Sequence, residues 1–365
     1  MYVVLGTKAQ LIKMAPVMVE LQKRGVPYRF ILTGQHRETM DELLKNFGIR
    51  HPDSTLYDGP DITGIFQMIV WMVRILWKIL RDRRAIFGAN VQPDDVVLTH
   101  GDTFSTLLGA LMGRCARIQV AHVESGLRSF HVFHPFPEEL TRLMVFRLSD
   151  LYFCPGDWAV KNLASYRGVK VNTQLNTLYD SLKLIETLEP SSTLRIPDEP
   201  FCVFSIHRFE NIFQQKRFQE ILRYLAMTAQ HMKVLFILHP PTVQQLKNFG
   251  LMEGLKMEAG VELRPRYNYT DFIKLVQKSA FLVTDGGSNQ EECFYMGKPC
   301  LLMRKATERH EGLGENVVLS EYNEERILHF VQHYQEYERA PVSLTVSPSE
   351  VIVRTLYPSL YHKEV

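Results

Sequence analysis

The chain is short of the features that mark several common protein classes. Its five cysteines, Cys115, Cys154, Cys202, Cys293 and Cys300, are scattered, odd in number and without a CxxC pair. A disulfide scaffold and a zinc site are therefore not expected, and a reducing cytosol fits best. No uninterrupted apolar run reaches the ~20 residues that a membrane-spanning helix needs. No GxGxxG follows the first strand pattern, which argues against a dinucleotide cofactor, and the absence of GxxxxGKS or GxxxxGKT argues against a P-loop ATPase. Charge of one sign is also lacking. Lys plus Arg total 42 against 40 Asp plus Glu, a formal +2, too even for a nucleic-acid coat, so any anionic ligand must be met by local cations. What is present is ordinary globular composition: 365 residues, 45% hydrophobic and 22% charged, enough for two domains of roughly 150 residues each. The opening apolar run, Met1 to Leu5, is too short for a signal peptide and reads as a first strand, so a cytoplasmic location is expected.

Short apolar strands alternate with helical stretches. Strands are expected at Tyr2–Leu5, Arg29–Thr33, Asp95–Thr99, Ile118–His122 and Leu151–Cys154, then at Cys202–Ile206, Val234–Leu238, Phe281–Thr284 and Pro299–Met303. Their continuous Val, Ile, Leu and Phe content predicts strands covered on both faces, as in parallel sheets. The repeated pattern predicts an α/β protein of two doubly wound, Rossmann-like domains facing a central cleft. Leu188 to Pro200 carries three prolines and reads as a loop. The boundary is placed slightly before it, giving domains at 1–170 and 171–347 and a helical segment at 348–365 that packs back on the first domain. The segment Ile65 to Leu80 is strongly apolar, with Gln67, Arg74, Lys78 and Arg81 on one face of a helix. Through Phe87 it holds Trp71, Trp77 and the cations Arg74, Lys78, Arg81, Arg83 and Arg84 against one acid, Asp82. Two readings stay open for 65–87: a core helix with a homodimer face, or an amphipathic helix that docks on an anionic membrane.

In open α/β sheets, ligands bind beyond the carboxyl ends of the strands, and here nearly every such end carries an ionisable residue. Lys8 follows the first strand and Lys13 lies in the next helix. Gln35 and His36 follow the second strand, Asp102 the third and Glu124 the fourth, with Glu138 and Arg142 beyond. In the second half, His207 and His239 follow successive strands. Asp285-Gly286-Gly287-Ser288 then precedes a helix that contains Glu292. Singly these have bland readings: Asp102 as a helix cap, Glu124 paired with Arg128, His207 as a satisfied core histidine. Together they predict one cleft between the domains. Gly286 to Ser288 at a helix start offers backbone N–H groups and a positive helix end, a phosphate cradle. Lys8, Lys13, Arg142 and His207 supply cations. Asp102, Glu124 and Glu138 are more carboxylates than phosphate binding needs and suit proton transfer at a carbon or oxygen of a sugar. No metal is expected.

The segments GTKAQLIKMAP (6–16), TGQH (33–36), HGDT (100–103), HVESGLR (122–128), PFPEELTR (135–142), HRFEN (207–211), TDGGSNQEE (284–292) and TERHEG (307–312) occur in family order over nearly the whole chain. They resemble the non-hydrolysing UDP-N-acetylglucosamine 2-epimerases. The resemblance implies a glycosyltransferase-B type fold and a cofactor-free isomerase that interconverts UDP-GlcNAc and UDP-ManNAc for polysaccharide biosynthesis. Such enzymes eliminate UDP to leave a 2-acetamidoglucal, then re-add it after the proton returns on the other face. By residue-for-residue match, Asp102, Glu124 and Glu138 fall on the acid–base carboxylates and His207 on the diphosphate histidine. Lys13 and Arg142 fall on basic contacts, Gly287 and Ser288 on the UDP-binding loop, Glu292 on the ribose carboxylate and Phe272 on the uracil platform. Lys8, His239, Gly286 and Arg309 complete the expected substrate set. Gln35 and His36 match part of the region that mediates activation by substrate in bacterial members.

The chain departs from the family in several places. Lys8 stands for arginine, Ala9-Gln10 for proline-glutamate, Thr141 for asparagine and Phe209 for a second arginine. DGGS stands for DSGG, Leu175 for the glycine of GNT, and His310 for the proline of TERPE. The acid–base set is complete while the contact set is edited. A modified UDP-N-acetylhexosamine, a hydrolysing epimerase and a glycosyltransferase of the same fold remain as alternatives. A non-catalytic UDP-sugar sensor is disfavoured, because a pure binder gains nothing from buried acids beside a diphosphate.

Overall fold

The structure, a computed structural model, describes residues 1–35, 40–59, 62, 65–88, 91–131 and 137–361. His36, His134, Pro135, Phe136 and the side chain of Arg83 lie outside the described residues. Two compact units are present, Met1–Leu184 with Thr345–Val365, and Ile185–Leu344.

The first unit is built on β1 (Tyr2–Leu5), β2 (Arg29–Leu32), β3 (Ser54–Thr55), β4 (Val96–His100), β5 (Gln119–Val123), β6 (Leu151–Cys154) and β7 (Val169–Asn172), in the order β3-β2-β1-β4-β5-β6-β7. The second is built on β8 (Phe201–Ser205), β9 (Lys233–Leu238), β10 (Val261–Pro265), β11 (Leu282–Thr284), β12 (Cys300–Leu302) and β13 (Val317–Leu319), in the order β10-β9-β8-β11-β12-β13. All pairings are parallel, and helices join the strands, as the alternating pattern predicts. Strand order reverses between β1 and β4 and again between β8 and β11. Those are the switch points beyond which open α/β sheets bind ligands.

The expected strands occur with ends shifted by at most one residue, and the strands that were not expected are β3, β7, β10 and β13. These are the sheet edges. Central strands such as β1 and β8 are buried along their whole length, whereas β7 alternates to exposed ends and β10 is only half-buried. An edge strand is not covered on both faces, so it lacks the continuous apolar run that marks its neighbours. β7 lies across the expected 170/171 boundary and pairs with β6, and the units separate at 184/185 instead.

Two local devices hold the first unit's helices. The helix Lys8–Lys23 starts in a capping box of Thr7 and Gln10 and carries Pro16 inside it. Proline has no N–H to give the carbonyl four residues back, and the Ser181 hydroxyl donates to that Ile12 carbonyl at 2.7 Å instead. The closing helix Pro348–Leu356 is fastened where the Ser349 N–H and hydroxyl donate to buried Asp180 at 2.7 and 2.6 Å.

The helix Ile65–Arg81 lays Trp71, Ile75 and Ile79 into the core beside Tyr2, Ile31, Val97 and Leu108. The Trp71 indole N–H donates to the Thr33 carbonyl at 3.3 Å. Trp77 points the other way and is exposed. No helix among the described residues is long and apolar enough to cross a membrane. Trp71→Ala should lower stability in urea unfolding by about 3–5 kcal/mol, and Trp77→Ala by no more than about 0.5 kcal/mol. Equal losses would contradict this division of the helix.

Candidate functional site

In the first unit the chain turns tightly after β1. A side chain at Gly6 would put its Cβ 1.9 Å from Ser105 Oγ, so only glycine fits there. Gln10 then bridges the switch point. Its side-chain oxygen accepts from the Gly6 and Thr7 N–H groups at 2.8 and 3.1 Å. Its amide donates to the His100 carbonyl at 2.7 Å and to Thr106 Oγ1 at 3.0 Å. The glutamate that the resemblance implies at this position would, when ionised, have no proton to donate to a carbonyl, so the amide has a structural reason. Lys8 is the first residue of this helix. Gln35 is buried and accepts from the Ser105 hydroxyl at 2.7 Å.

Glu124, just past β5, sits in the left-handed region at φ 60°. That bend turns its carboxylate back toward the helix Lys8–Lys23, where buried Lys13 Nζ pairs with it. Asn176 Nδ2 donates to the same oxygen at 2.5 Å, and His100 Nε2 stands 3.6 Å from the other. Two residues on, Gly126 has φ 94°, and a Cβ there would meet the Ala159 carbonyl oxygen at 2.3 Å. The glycine of the HVESGLR segment is thus required by a close backbone approach.

Asp102, past β4, does not cap the helix Phe104–Ala116. Thr103 does, accepting from the Thr106 N–H. Asp102 instead accepts from Arg142 Nε and Nη2 at 2.9 and 2.6 Å. Arg142 also donates to Glu139 at 3.2 Å, and Glu139 takes Arg128 Nε at 2.5 Å and the Ser129 N–H at 3.0 Å. Arg128 therefore serves Glu139 and not Glu124. Burial would raise the Glu139 carboxyl, but the Ser129 N–H and the guanidiniums of Arg128 and Arg142 outweigh it and hold it below the usual range. Glu138 opens the helix Glu138–Leu148. Its Oε2 is buried with no hydrogen-bond partner among the described residues, unlike the paired oxygens of Asp102 and Glu124.

His122 underlies both carboxylates. It is buried, with Nε2 2.7 Å from the Gly101 carbonyl and Nδ1 2.8 Å from Ser125 Oγ. Since a carbonyl only accepts, Nε2 carries the proton and Nδ1 accepts from the serine. Burial pushes this imidazole down to about 4. A neutral ring thus fixes the residue before Asp102 and the residue after Glu124. Sequence reading passed over His122, Glu139 and Asn176. Only their place beside selected residues could have flagged them.

In the second unit, buried Asp285 directly follows β11 and collects the turn after β8. It accepts from the His207 N–H at 3.0 Å, the Arg208 N–H at 2.9 Å and Asn211 Nδ2 at 2.9 Å. His207 Nδ1 lies 3.3 Å from Asp285 Oδ1, at ion-pair range but without hydrogen-bond alignment. The His207 ring stacks on His239 with centroids 4.4 Å apart. Burial lowers the His207 pKa although Asp285 opposes it. His239 falls to about 3 through burial, with adjacent His207 adding to the effect. His207 is therefore partly exposed, stacked and beside a carboxylate, not a satisfied core histidine.

The helix Gly287–Met296 begins at Gly286 with no side chain among the described residues capping it. Arg309 lies against this start, its Nε 3.1 Å from where a Gly287 Cβ would be, and pairs with Glu291 at 2.6 Å. Gln290 holds the 307–312 segment on the helix by donating to the Arg309 and Glu311 carbonyls and accepting from Thr307. Ser288 is half-buried in the first turn, and Glu292, one turn further, is buried. Glu292 accepts from the Tyr269 hydroxyl at 3.0 Å and Asn289 Nδ2 at 2.7 Å. Phe272 is half-buried against the core of this unit. Phe209 is 70% exposed and stacks on Phe213 at 4.3 Å. Among the described residues, no three His, Cys, Asp or Glu gather as a metal site.

The sequence profile of the family described as UDP-N-acetylglucosamine 2-epimerase matches residues 19–347. The UDP-N-acetylglucosamine 2-epimerase of Methanocaldococcus jannaschii is 28% identical over 90% of each chain. That of Escherichia coli O157:H7 is 32% identical over 86% of this chain and 84% of its own. The crystal structure of the Neisseria meningitidis UDP-GlcNAc 2-epimerase bound to UDP-GlcNAc superposes with a TM-score of 0.80 at 28% identity, covering 98% of this chain and 99% of that one.

The His122 arrangement has a pH consequence. The unfolded chain binds a proton on this imidazole near pH 6.5, whereas the folded chain refuses it until about 4. Its contribution to stability is full above pH 6.5 and lost as pH falls toward 4, on the order of 3 kcal/mol in all. His122→Asn should flatten the fall of stability between pH 6.5 and 4 in urea titrations, whatever its stability at pH 7. An unchanged slope would contradict the buried neutral imidazole.

Proposed function

The chain belongs to the UDP-N-acetylglucosamine 2-epimerase family, and on that premise we propose that it inverts C2 of the sugar of UDP-GlcNAc to give UDP-ManNAc. In the proposed reaction a first-unit carboxylate takes the C2 proton while the C1–O bond to UDP breaks. 2-Acetamidoglucal and UDP result. A second carboxyl group, held protonated, gives its proton to the opposite face of C2 as UDP adds back at C1, which leaves the first group protonated and the second ionised, so atoms and charge balance. Proton removal and return on opposite faces need more than one carboxylate. Asp102, Glu124 and Glu138 are assigned that work.

The observation that carries this reading is the pairing of Asp102 with Arg142 and of Glu124 with Lys13 at adjacent strand ends. Two carboxylates, each held by a cation from a different helix, are costly to bury and are of no use to a diphosphate binder. Lys8 and Gln35 are assigned to the sugar end. UDP is assigned to the second unit. The uncapped start of the helix Gly287–Met296 suits phosphates, with Arg309 against it and His207 on the diphosphate. His207 is held toward the neutral form before a ligand arrives, and a diphosphate beside it would favour the charged one. Glu292 is assigned to the ribose hydroxyls and Phe272 to the uracil face, with His239 supporting His207. A cytoplasmic location accords with this use of free nucleotide sugars. One observation favours a modified hexosamine: Phe209, where the resemblance implies an arginine, is exposed and stacks on Phe213, an apolar surface two residues past His207.

The test is incubation with UDP-GlcNAc in D2O without any acceptor, followed by proton NMR. Interconversion of intact UDP-sugars with deuterium at C2 is expected. Turnover should fall by on the order of 10² or more in each of Asp102→Asn, Glu124→Gln and Glu138→Gln while circular dichroism is unchanged. Strict dependence on an acceptor would make it a glycosyltransferase. Release of free sugar would make it hydrolysing. Near-normal turnover in all three variants would overturn the carboxylate assignment.

A further inference from the structure

The helix Ile65–Arg81 buries one face and leaves a second apolar face in solvent. Ile69, Val73, Trp77 and Leu80 are 51%, 60%, 61% and 72% exposed. Their spacing of four, four and three places them in one stripe. Among the described residues, four of the ten large exposed apolar side chains lie on this helix. Scattered exposed apolar residues are normal, but a contiguous stripe marks an interaction surface.

The rim of the stripe identifies its partner. Arg74 and Arg81 are exposed along one side, with Arg84 just beyond, and Arg81 lies over the Trp77 ring at 4.9 Å. Lys78 is turned inward and donates to the Leu56 carbonyl at 3.2 Å, so it belongs to the fold. The helix contains no Asp or Glu, and the first acid after it is Asp82. A two-fold copy of the face would bring apolar stripe to apolar stripe, but its helix offers only further cations to these arginines. An anionic lipid surface satisfies both parts at once. The stripe enters the boundary between headgroups and acyl chains, an indole sits at that depth, and guanidiniums reach back to phosphates. The helix is too short and too interrupted to span a bilayer, so it lies in the surface plane.

We propose that the outer face of the helix Ile65–Arg81 docks this protein on an anionic lipid surface through Ile69, Val73, Trp77 and Leu80, with Arg74, Arg81 and Arg84 on the headgroup phosphates. The full chain is sedimented with phosphatidylcholine vesicles with and without phosphatidylglycerol, at low and physiological salt. Co-sedimentation with the anionic vesicles alone is expected, weakening as salt rises. Binding should fall tenfold or more both in Trp77→Glu and in Arg74→Glu/Arg81→Glu. Thermal unfolding should be unchanged in both, since all three side chains are exposed. Absence of binding to anionic vesicles at low salt overturns the proposal, as does binding that both variants retain. A dimer in analytical ultracentrifugation that Trp77→Glu dissociates, with no vesicle binding, assigns the face to a second copy instead.

Discussion

A carboxylate taken out of water costs stability unless a cation or hydrogen-bond donors follow it. That constraint organises the first unit. Glu124 is followed by Lys13 and Asn176, Asp102 by Arg142, and Glu139 by Arg128, Arg142 and the Ser129 N–H. Lys13 and Asn176 reach Glu124, and Arg142 reaches Asp102, from other stretches of chain, so satisfying these charges also fixes where the helices Lys8–Lys23 and Glu138–Leu148 sit on the sheet. Glu139 anchors Arg142, and Arg142 in turn positions Asp102. Neutral His122 completes the frame, holding the Gly101 carbonyl and the Ser125 hydroxyl that flank the two carboxylates. The second unit solves the same problem with one buried acid: Asp285 takes donors from the turn after β8 and so builds the surface that presents His207.

Much of this was legible in the chain. Central strands declare themselves because both their faces are buried, and strand order then puts Lys8, Asp102, His207 and Gly286 at switch points without further information. The four edge strands were not legible, because half-buried stretches such as Val169–Asn172 have no distinctive pattern. Missing β7 is what drew the expected boundary too early. At the site, charged residues at strand ends were visible and their partners were not. Nothing in sequence distinguishes Glu139 from its neighbour Glu138, yet one is an ion-paired anchor and the other has a buried oxygen with no hydrogen-bond partner among the described residues. Asn176 and Lys13 reach Glu124 across chain separations that no local pattern encodes.

The edits away from the family divide in the same way. Gln10 is explained by the carbonyl it donates to, whereas Phe209 leaves its ring largely in solvent, stacked on Phe213. An edit that repairs a contact speaks to stability. One that exposes an aromatic two residues past His207 speaks to what is bound there.

The account centres on breaking and remaking the C1–O bond, and isotope position reports that bond directly. The substrate is UDP-GlcNAc carrying ¹⁸O in the bridge between C1 and the β-phosphorus. Once free, the β-phosphate oxygens become equivalent by rotation. Migration of the label from bridging to non-bridging positions, at a rate comparable with C2 inversion, is the predicted result. C2 inversion with the label still in the bridge would contradict elimination and re-addition.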